Sequence, residues 1–218
     1  MGIKEVRNYL NTKRRDFSSQ SLDDQSINDD PFEQYAVWFK EAIDAEVPDP
    51  YAACLSTVNK DNKPGSRMIY IRDITEDGFI FYTNYQSQKA KDLDTNPSAS
   101  LNIFWIELER QVRIEGNIEM VDDELSDTYF KNRPRESQIG AWASAQSDVI
   151  SSRNVLINKI KEIEAKFKGK EVDRPPFWGG FHLIAEKIEF WQGRPSRLHD
   201  RILYTKENNL WRKNRLSP

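Results

Sequence analysis

Apolar residues recur at helical spacing early in the chain: Phe32, Tyr35, Ala36, Phe39, Ile43 and Val47 fall on one face. Asp30-Pro31-Phe32-Glu33 offers an N-cap, a proline at the first helical position and a capping-box glutamate, and Pro48 and Pro50 stop the helix. The pattern then turns strand-like. Runs at 52–58, 66–74 and 79–83 are separated by the turn-rich Lys60-Asp61-Asn62-Lys63-Pro64-Gly65 and Glu76-Asp77-Gly78, which predicts a three-stranded meander. Further strands are expected at 98–106 and 111–120, with a short helix at 87–93 ahead of them. Helices follow at 123–131, 136–145 and 152–167; the last carries Leu156, Ile160, Ile163 and Phe167 on one face and ends near Gly169. The final third returns to strands at 181–191, 202–205 and 210–213. Many antiparallel strands with interspersed helices predict a mainly β, α+β fold: a closed or partly closed β-barrel with peripheral helices, because closure removes exposed edges. Residues 1–29 are polar, with Lys13-Arg14-Arg15-Asp16, then Ser18-Ser19-Gln20-Ser21 and an acidic stretch. They read as a flexible N-terminal arm, leaving 30–218 as one domain.

Composition narrows the function. Of 218 residues, 32 are Lys or Arg and 35 Asp or Glu, a net charge of -3 that lacks the electrostatic footprint of a nucleic-acid binder. No apolar run is long enough to cross a bilayer, and Met-Gly-Ile-Lys-Glu-Val-Arg has no secretory apolar stretch, so the expected location is cytoplasmic, away from membranes. The single cysteine, Cys54, lies among Ala52, Ala53 and Leu55 and reads as a buried structural thiol. His182 and His199 are the only histidines, so no metal site is expected.

Neither familiar glycine-rich phosphate cradle is present, so a phosphate must be met by side chains, for which the arginine fork is suited. Four places offer it. Arg67 and Arg72 share a predicted strand with opposite parity, which points them to opposite faces. Tyr82-Thr83 and Ser87-Gln88-Lys89 lead into a helix whose first amides can bind an anion. Tyr129, Arg133 and Ser137 can surround one anion, and Gln146-Ser147 follow a helix end. Exposed surface charge, helix capping and core packing explain each group equally well when it is taken alone. Trp178, Phe181, Phe190 and Trp191 supply flat walls of the kind a ring-shaped cofactor needs. His199 lies between Arg197 and Arg201, whose charge should keep the imidazole neutral near pH 7.

Glu189-Phe190-Trp191 followed by Arg197-Leu198-His199-Asp200-Arg201 resembles the signature of the pyridoxine (pyridoxamine) 5'-phosphate oxidase family. The likeness extends through Arg67 to Arg72, Phe81-Tyr82-Thr83-Asn84, Lys89-Ala90, Glu109-Arg110-Gln111-Val112, Ser137-Gln138-Ile139-Gly140-Ala141-Trp142 and residues 177–181, over roughly residues 30–218. The resemblance implies an FMN-binding split β-barrel homodimer whose site draws on both chains. It implies FMN contacts at Arg67, Met68, Ile69, Tyr70, Arg72, Tyr82, Thr83, Gln88, Lys89, Gln111, Gln146, Ser147, Trp191 and Arg201. Arg72, Tyr129, Arg133 and Ser137 would take the substrate phosphate, and Arg197, Leu198 and His199 would lie over the pyridine ring, Arg197 and His199 being the catalytic pair. Arg7 and Tyr9 resemble an Arg/Tyr pair that closes over substrate in the family, at a different spacing. The implied reaction is oxidation of pyridoxine or pyridoxamine 5'-phosphate to pyridoxal 5'-phosphate, with O2 as acceptor and H2O2 as product. The alternatives are a related flavin oxidoreductase on the same barrel and a non-catalytic flavin or pyridoxal-phosphate binder. Position 72 is Arg where the family usually has Lys, and position 88 is Gln where it usually has Arg, which predicts altered phosphate geometry and looser FMN binding.

Overall fold

The computed structural model describes residues 2–13, 15–17, 21–23 and 27–218. The chain forms two compact units. The first comprises residues 1–47, 104–112 and 189–218; the second comprises 48–103 and 113–188. Among the described residues no helix is long and apolar enough to cross a membrane.

The second unit is built on a curled antiparallel sheet. Strands β1 (Ala52–Val58), β2 (Pro64–Tyr70), β3 (Asp73–Ile74), β4 (Gly78–Asn84), β5 (Ser98–Trp105), β6 (Arg110–Met120) and β7 (Trp178–Gln192) take the order β2-β1-β5-β6-β7-β4-β3. The outermost strands, β2 and β3, are consecutive in the chain, so the sheet bends round until its two edges are separated by two residues. This is a split barrel. The expected strand at 66–74 is therefore two strands, and the expected meander is broken between them. Tyr70 closes the β1–β2 ladder opposite Ala52, and the chain then changes partner: the Ile71 N–H donates to Tyr51 O at 3.0 Å and the Arg72 N–H to Ile80 O at 2.8 Å. Alternating apolar positions on β1, β4, β5 and β7 fill the interior, where Leu55, Leu101, Ile103, Phe79, Phe81 and Leu183 are almost wholly buried.

Helix α3 (Gln88–Thr95) joins β4 to β5, and α4 (Asp123–Lys131), α5 (Arg135–Ala143) and α6 (Arg153–Lys166) follow β6. They agree with the expected helices. Phe130, Ile139, Ala143, Ile163, Phe167 and Val172 form one cluster against Trp178 at the start of β7, with Leu156 and Ile160 at its margin. Beyond α6, Gly169 takes a left-handed φ of 71°, as a helix-ending glycine does.

The first unit holds helices α1 (Ile3–Thr12) and α2 (Pro31–Asp44), the end of β7, and the hairpin of β8 (Asp200–Glu207) with β9 (Leu210–Arg215). Asn208 and Asn209 turn that hairpin with left-handed φ values of 50° and 62°, as a two-residue loop demands. Asp30 caps α2 by accepting from the Phe32 and Glu33 amides at 2.7 and 3.1 Å. The buried face of α2 is turned from the expected one: Tyr35, Trp38 and Ala42 are buried, whereas Ala36 and Ile43 are exposed. Trp38 carries the larger area, packing edge-on against Phe190 at 5.1 Å, and sets the rotation. Helix α1 lies in the stretch expected as an arm and buries no residue. Arg14 and Ser18-Ser19-Gln20 of that stretch lie outside the described residues.

Candidate active site

A cavity of about 710 Å³ opens in the second unit. Its lining joins Arg67, Met68, Ile69 and Tyr70 of β2, Arg72 after the strand break, Tyr82 and Thr83 of β4, and Gln88 and Lys89 of α3. Tyr129, Arg133, Pro134, Ser137, Gln146, Ser147 and Trp178 complete it. The structure thus brings together fourteen residues that sequence proposes as ligand contacts, with Trp178, expected as a flat aromatic wall, and Pro134, which is an addition. Arg67 and Arg72 line the same cavity, against the expectation that they face opposite sides. Alternation holds only within one ladder, and the change of partner at Ile71–Arg72 resets it.

One end of the cavity is cationic and braced. Arg67 Nη1 donates to Thr57 Oγ1 at 2.8 Å, to Gly65 O at 3.1 Å and to Leu55 O at 3.3 Å. Lys89, only 6% exposed, donates to Thr83 Oγ1 at 3.1 Å and Ser87 Oγ at 3.3 Å. Burial, and secondarily Arg67, push its ammonium pKa down to about 8. The Thr83 hydroxyl in turn donates a hydrogen bond to Gln146 Oε1 at 3.1 Å, and the Gln88 backbone N–H at the start of α3 donates to Ser147 Oγ at 3.2 Å. Ser147 holds a left-handed φ of 76°, a cost of order 1 kcal/mol or more that residues at ligand sites commonly carry.

The other end is aromatic and cationic. Arg72 stacks over Tyr70 at 4.8 Å and Tyr51 at 5.1 Å, and Arg133 over Trp178 at 4.5 Å. Tyr82 and Tyr129 stack face to face, 3.8 Å between centroids and 4° from parallel. Burial pushes the Tyr82 hydroxyl up to about 12, so it stays protonated. Arg133 Nη1 is buried without a hydrogen-bond partner. Burial lowers the pKa of that guanidinium, Tyr129 opposes the shift and Arg72 adds to it. Two cations lining the same end of a cavity are what an anionic group would satisfy.

Gly180 makes the stacked wall possible. A Cβ there would lie 2.5 Å from Val121 Cγ2 and 2.9 Å from the Tyr82 ring.

Gln111, Trp191, Arg197, Leu198, His199 and Arg201 belong to the first unit, and none of them lines this cavity. Trp191, Arg197, Leu198 and His199 gather around a loop. Gly193 is followed by a 3-10 turn, Pro195–Arg197, in which Ser196 and Arg197 both have left-handed φ, 57° and 63°. Arg197 is exposed at its tip beside Leu198. His199 lies against Trp191, 4.6 Å between centroids and tilted by 47°, and Phe17 stands edge-on to both rings, at 5.5 Å from Trp191 and 5.3 Å from His199. The Arg194 N–H donates to His199 Nδ1 at 3.1 Å, so the neutral ring carries its proton on Nε2, free to donate. Burial, then Arg197, lower the His199 pKa, while Asp16 opposes them. Arg201, expected as an FMN contact, is forked onto Glu189 at 2.8 and 3.1 Å and bonded to Ser217 O.

The N-terminal residue on these rings is Phe17, held by Arg15 on Glu109 at 3.0 Å and by Asp16, which accepts the Ser196 amide at 3.1 Å. Arg7 and Tyr9 sit instead on exposed α1, ten residues or so upstream. Sequence matched residue types and missed Phe17, because a phenylalanine among polar neighbours carries no motif. Its apolarity in a polar arm was the available signal.

Residues 39–167 match the family described as pyridoxamine 5'-phosphate oxidase, and residues 178–218 the pyridoxine 5'-phosphate oxidase C-terminal dimerisation region. A Burkholderia mallei (strain SAVP1) protein named pyridoxine/pyridoxamine 5'-phosphate oxidase is 51% identical over 208 residues, covering 94% of this chain and 97% of that one. Among solved structures, PhzG from Burkholderia lata 383, in complex with tetrahydrophenazine-1-carboxylic acid, superposes with a TM-score of 0.86 at 29% identity. That match covers 92% of this chain and 100% of PhzG. A pyridoxamine 5'-phosphate oxidase-related, FMN binding protein from Nostoc punctiforme PCC 73102 shares the fold, with a TM-score of 0.69 at 14% identity over 88% of this chain and 99% of the other.

Proposed function

The chain belongs to the pyridoxamine 5'-phosphate oxidase family, and from that premise we propose that it oxidises pyridoxine or pyridoxamine 5'-phosphate to pyridoxal 5'-phosphate. FMN is its cofactor, and supplies the two-electron acceptance that no side chain here offers. Overall, the alcohol at C4' gives up two electrons and two protons to become an aldehyde, and dioxygen takes them to leave as hydrogen peroxide. The amine gives an imine first, which adds water and releases ammonia.

The observation that carries the reading is the pair of guanidiniums, Arg72 and Arg133, that line one cavity together with Tyr129 and Ser137. This end receives the substrate phosphate. The braced end, with Arg67, Lys89, Thr83, Gln146 and Ser147, receives the cofactor phosphate, and Tyr82 with the neighbouring β2 backbone borders the flavin. Arg197 clamps the substrate, and His199 donates from Nε2 to a polar substituent on its ring. Neither forms a covalent bond; their contribution is to orient C4'.

The family resemblance assigns Gln111, Trp191, Arg197, His199 and Arg201 to a site built across two protomers. A homodimer is supported by the match to the dimerisation region. It is also supported by β2, an edge strand that leaves Met68 and Tyr70 exposed at the cavity.

PhzG supports a second reading, oxidation of a tricyclic carboxylate. Such a substrate would need no pocket for a phosphate dianion, and the paired arginines favour the first reading. The test is aerobic turnover of the yellow holoprotein, followed as peroxide. Activity on phosphorylated but not dephosphorylated vitamers is expected. Turnover of a tetrahydrophenazine carboxylate alone would establish the second reading, and bound flavin with no peroxide from any of them would make the protein a binder.

A further inference from the structure

Behind the braced end of the cavity lies a carboxylate that phosphate binding would not call for. Asp92, on the second turn of α3, is 4% exposed. Its Oδ2 accepts from Thr57 Oγ1 at 2.8 Å and lies 3.8 Å from Arg67 Nη2; its Oδ1 accepts from Gln88 Nε2 at 2.7 Å. Arg67 and Gln88 both line the cavity, and Thr57 also accepts from Arg67. One buried anion therefore holds two cavity side chains and the hydroxyl between them.

We propose that Asp92 is a positioning residue that sets the affinity for the phosphate end of the flavin: it orients Arg67 and at the same time competes for its charge. The inference rests on the assignment of this end of the cavity to the cofactor phosphate.

The physical argument is electrostatic. A buried carboxylate beside a guanidinium keeps the arginine ordered before any ligand arrives, which lowers the ordering cost of binding. The same carboxylate repels an incoming phosphate dianion through a medium that screens poorly. Gln88 adds to the balance. Its amide donates to Asp92, so the side chain neutralises nothing and is turned to the carboxylate. The pocket thus carries Arg67 and Lys89 against Asp92, and holds phosphate less tightly than its two cations alone would.

The test is titration of the full-length apoprotein with FMN and, separately, with riboflavin, which lacks the phosphate. Asp92→Asn keeps the shape and can keep the bonds to Thr57 and Gln88, but removes the charge. It should tighten FMN about tenfold, leave riboflavin unchanged and steepen the loss of FMN affinity with salt. Combining it with Arg67→Met should abolish the gain. If Asp92→Asn does not fold, Asp92→Ser serves in its place. Unchanged or weaker FMN binding by a folded uncharged variant would overturn the proposal and leave Asp92 as a brace. Equal tightening of riboflavin would overturn it too. If Arg67→Met and Lys89→Met each leave FMN affinity untouched, the phosphate assignment itself is wrong, a failure distinct from that of Asp92.

Discussion

The cavity of the second unit and the loop around His199 in the first are built on opposite principles. The cavity is walled by strands and helices, and most of its cations are already engaged: Arg67 with Thr57, Lys89 with Thr83, Arg72 and Arg133 on aromatic faces. The loop stands on two successive left-handed residues and presents Arg197 to solvent. A rigid polar pocket suits permanent tenancy by a cofactor and a fixed phosphate. A strained, exposed arginine suits a group that acts only once substrate is in place. Binding and turnover should therefore be separable by mutation.

The sharpest way to break that contrast is Arg197→Met. Turnover should fall about 100-fold, the scale of a lost orienting contact, while flavin absorbance and FMN affinity stay as in the parent. Loss of flavin together with activity would mean that the loop also holds the cofactor. Arg133→Leu should act in the complementary sense, raising KM for the phosphorylated substrate about 30-fold, equivalent to about 2 kcal/mol of charged hydrogen bonding, with FMN retained. A paired glycine test compares rigidity directly. Gly180→Ala drives a methyl into Val121 and Tyr82 and should cost about 2 kcal/mol of stability, read by denaturant unfolding. Gly193→Ala meets the Phe17 ring, with the nearest carbon at 2.7 Å, and should cost under about 1 kcal/mol because a ring on a short terminal segment can move aside.

Acidity separates the two regions as well. Lys89 titrates near 8 in the free protein, and phosphate favours its charged form, so FMN binding should take up a proton just above that pH. Affinity should then fall as pH rises through 8, by up to about tenfold per unit, and Lys89→Met should flatten the profile. His199 has its pKa lowered, so it is neutral at pH 7; turnover should be lost only on acidification below the usual histidine range, with FMN binding indifferent to that step. The smallest effect is expected of Gln88→Arg. FMN should tighten only about threefold, less than a free surface charge would give, because the new guanidinium meets Asp92 first. Isothermal titration would detect it.

Periodicity alone was enough to read most of this fold, because the strands alternate and α6 repeats its apolar residues every third or fourth position. It misled where a single large side chain outweighed a pattern, as Trp38 did in rotating α2, and where a strand changed partners, as at Ile71–Arg72. The cavity's residues were legible as a family resemblance rather than as physics, since no one of the four segments was decisive alone. Trp178 was visible as a flat wall for a cofactor ring; only the structure shows Arg133 lying on it. Asp92 was invisible for a simpler reason: an acidic residue on a short polar helix looks solvated until its neighbours are known. Phe17 and α1 lie in a segment whose polarity outweighed its few apolar residues.

The two amides at the seam of the barrel have a use of their own. Ile71 donates to a residue preceding β1 and Arg72 to one within β4, so adjacent peptide groups are tied to opposite margins of the sheet. Any parting of those margins must release at least one of them. Hydrogen exchange at these two positions is thus a local gauge of breathing, and slowing of both when FMN is added would show that the cofactor acts as a clasp on the sheet as well as a reagent within it.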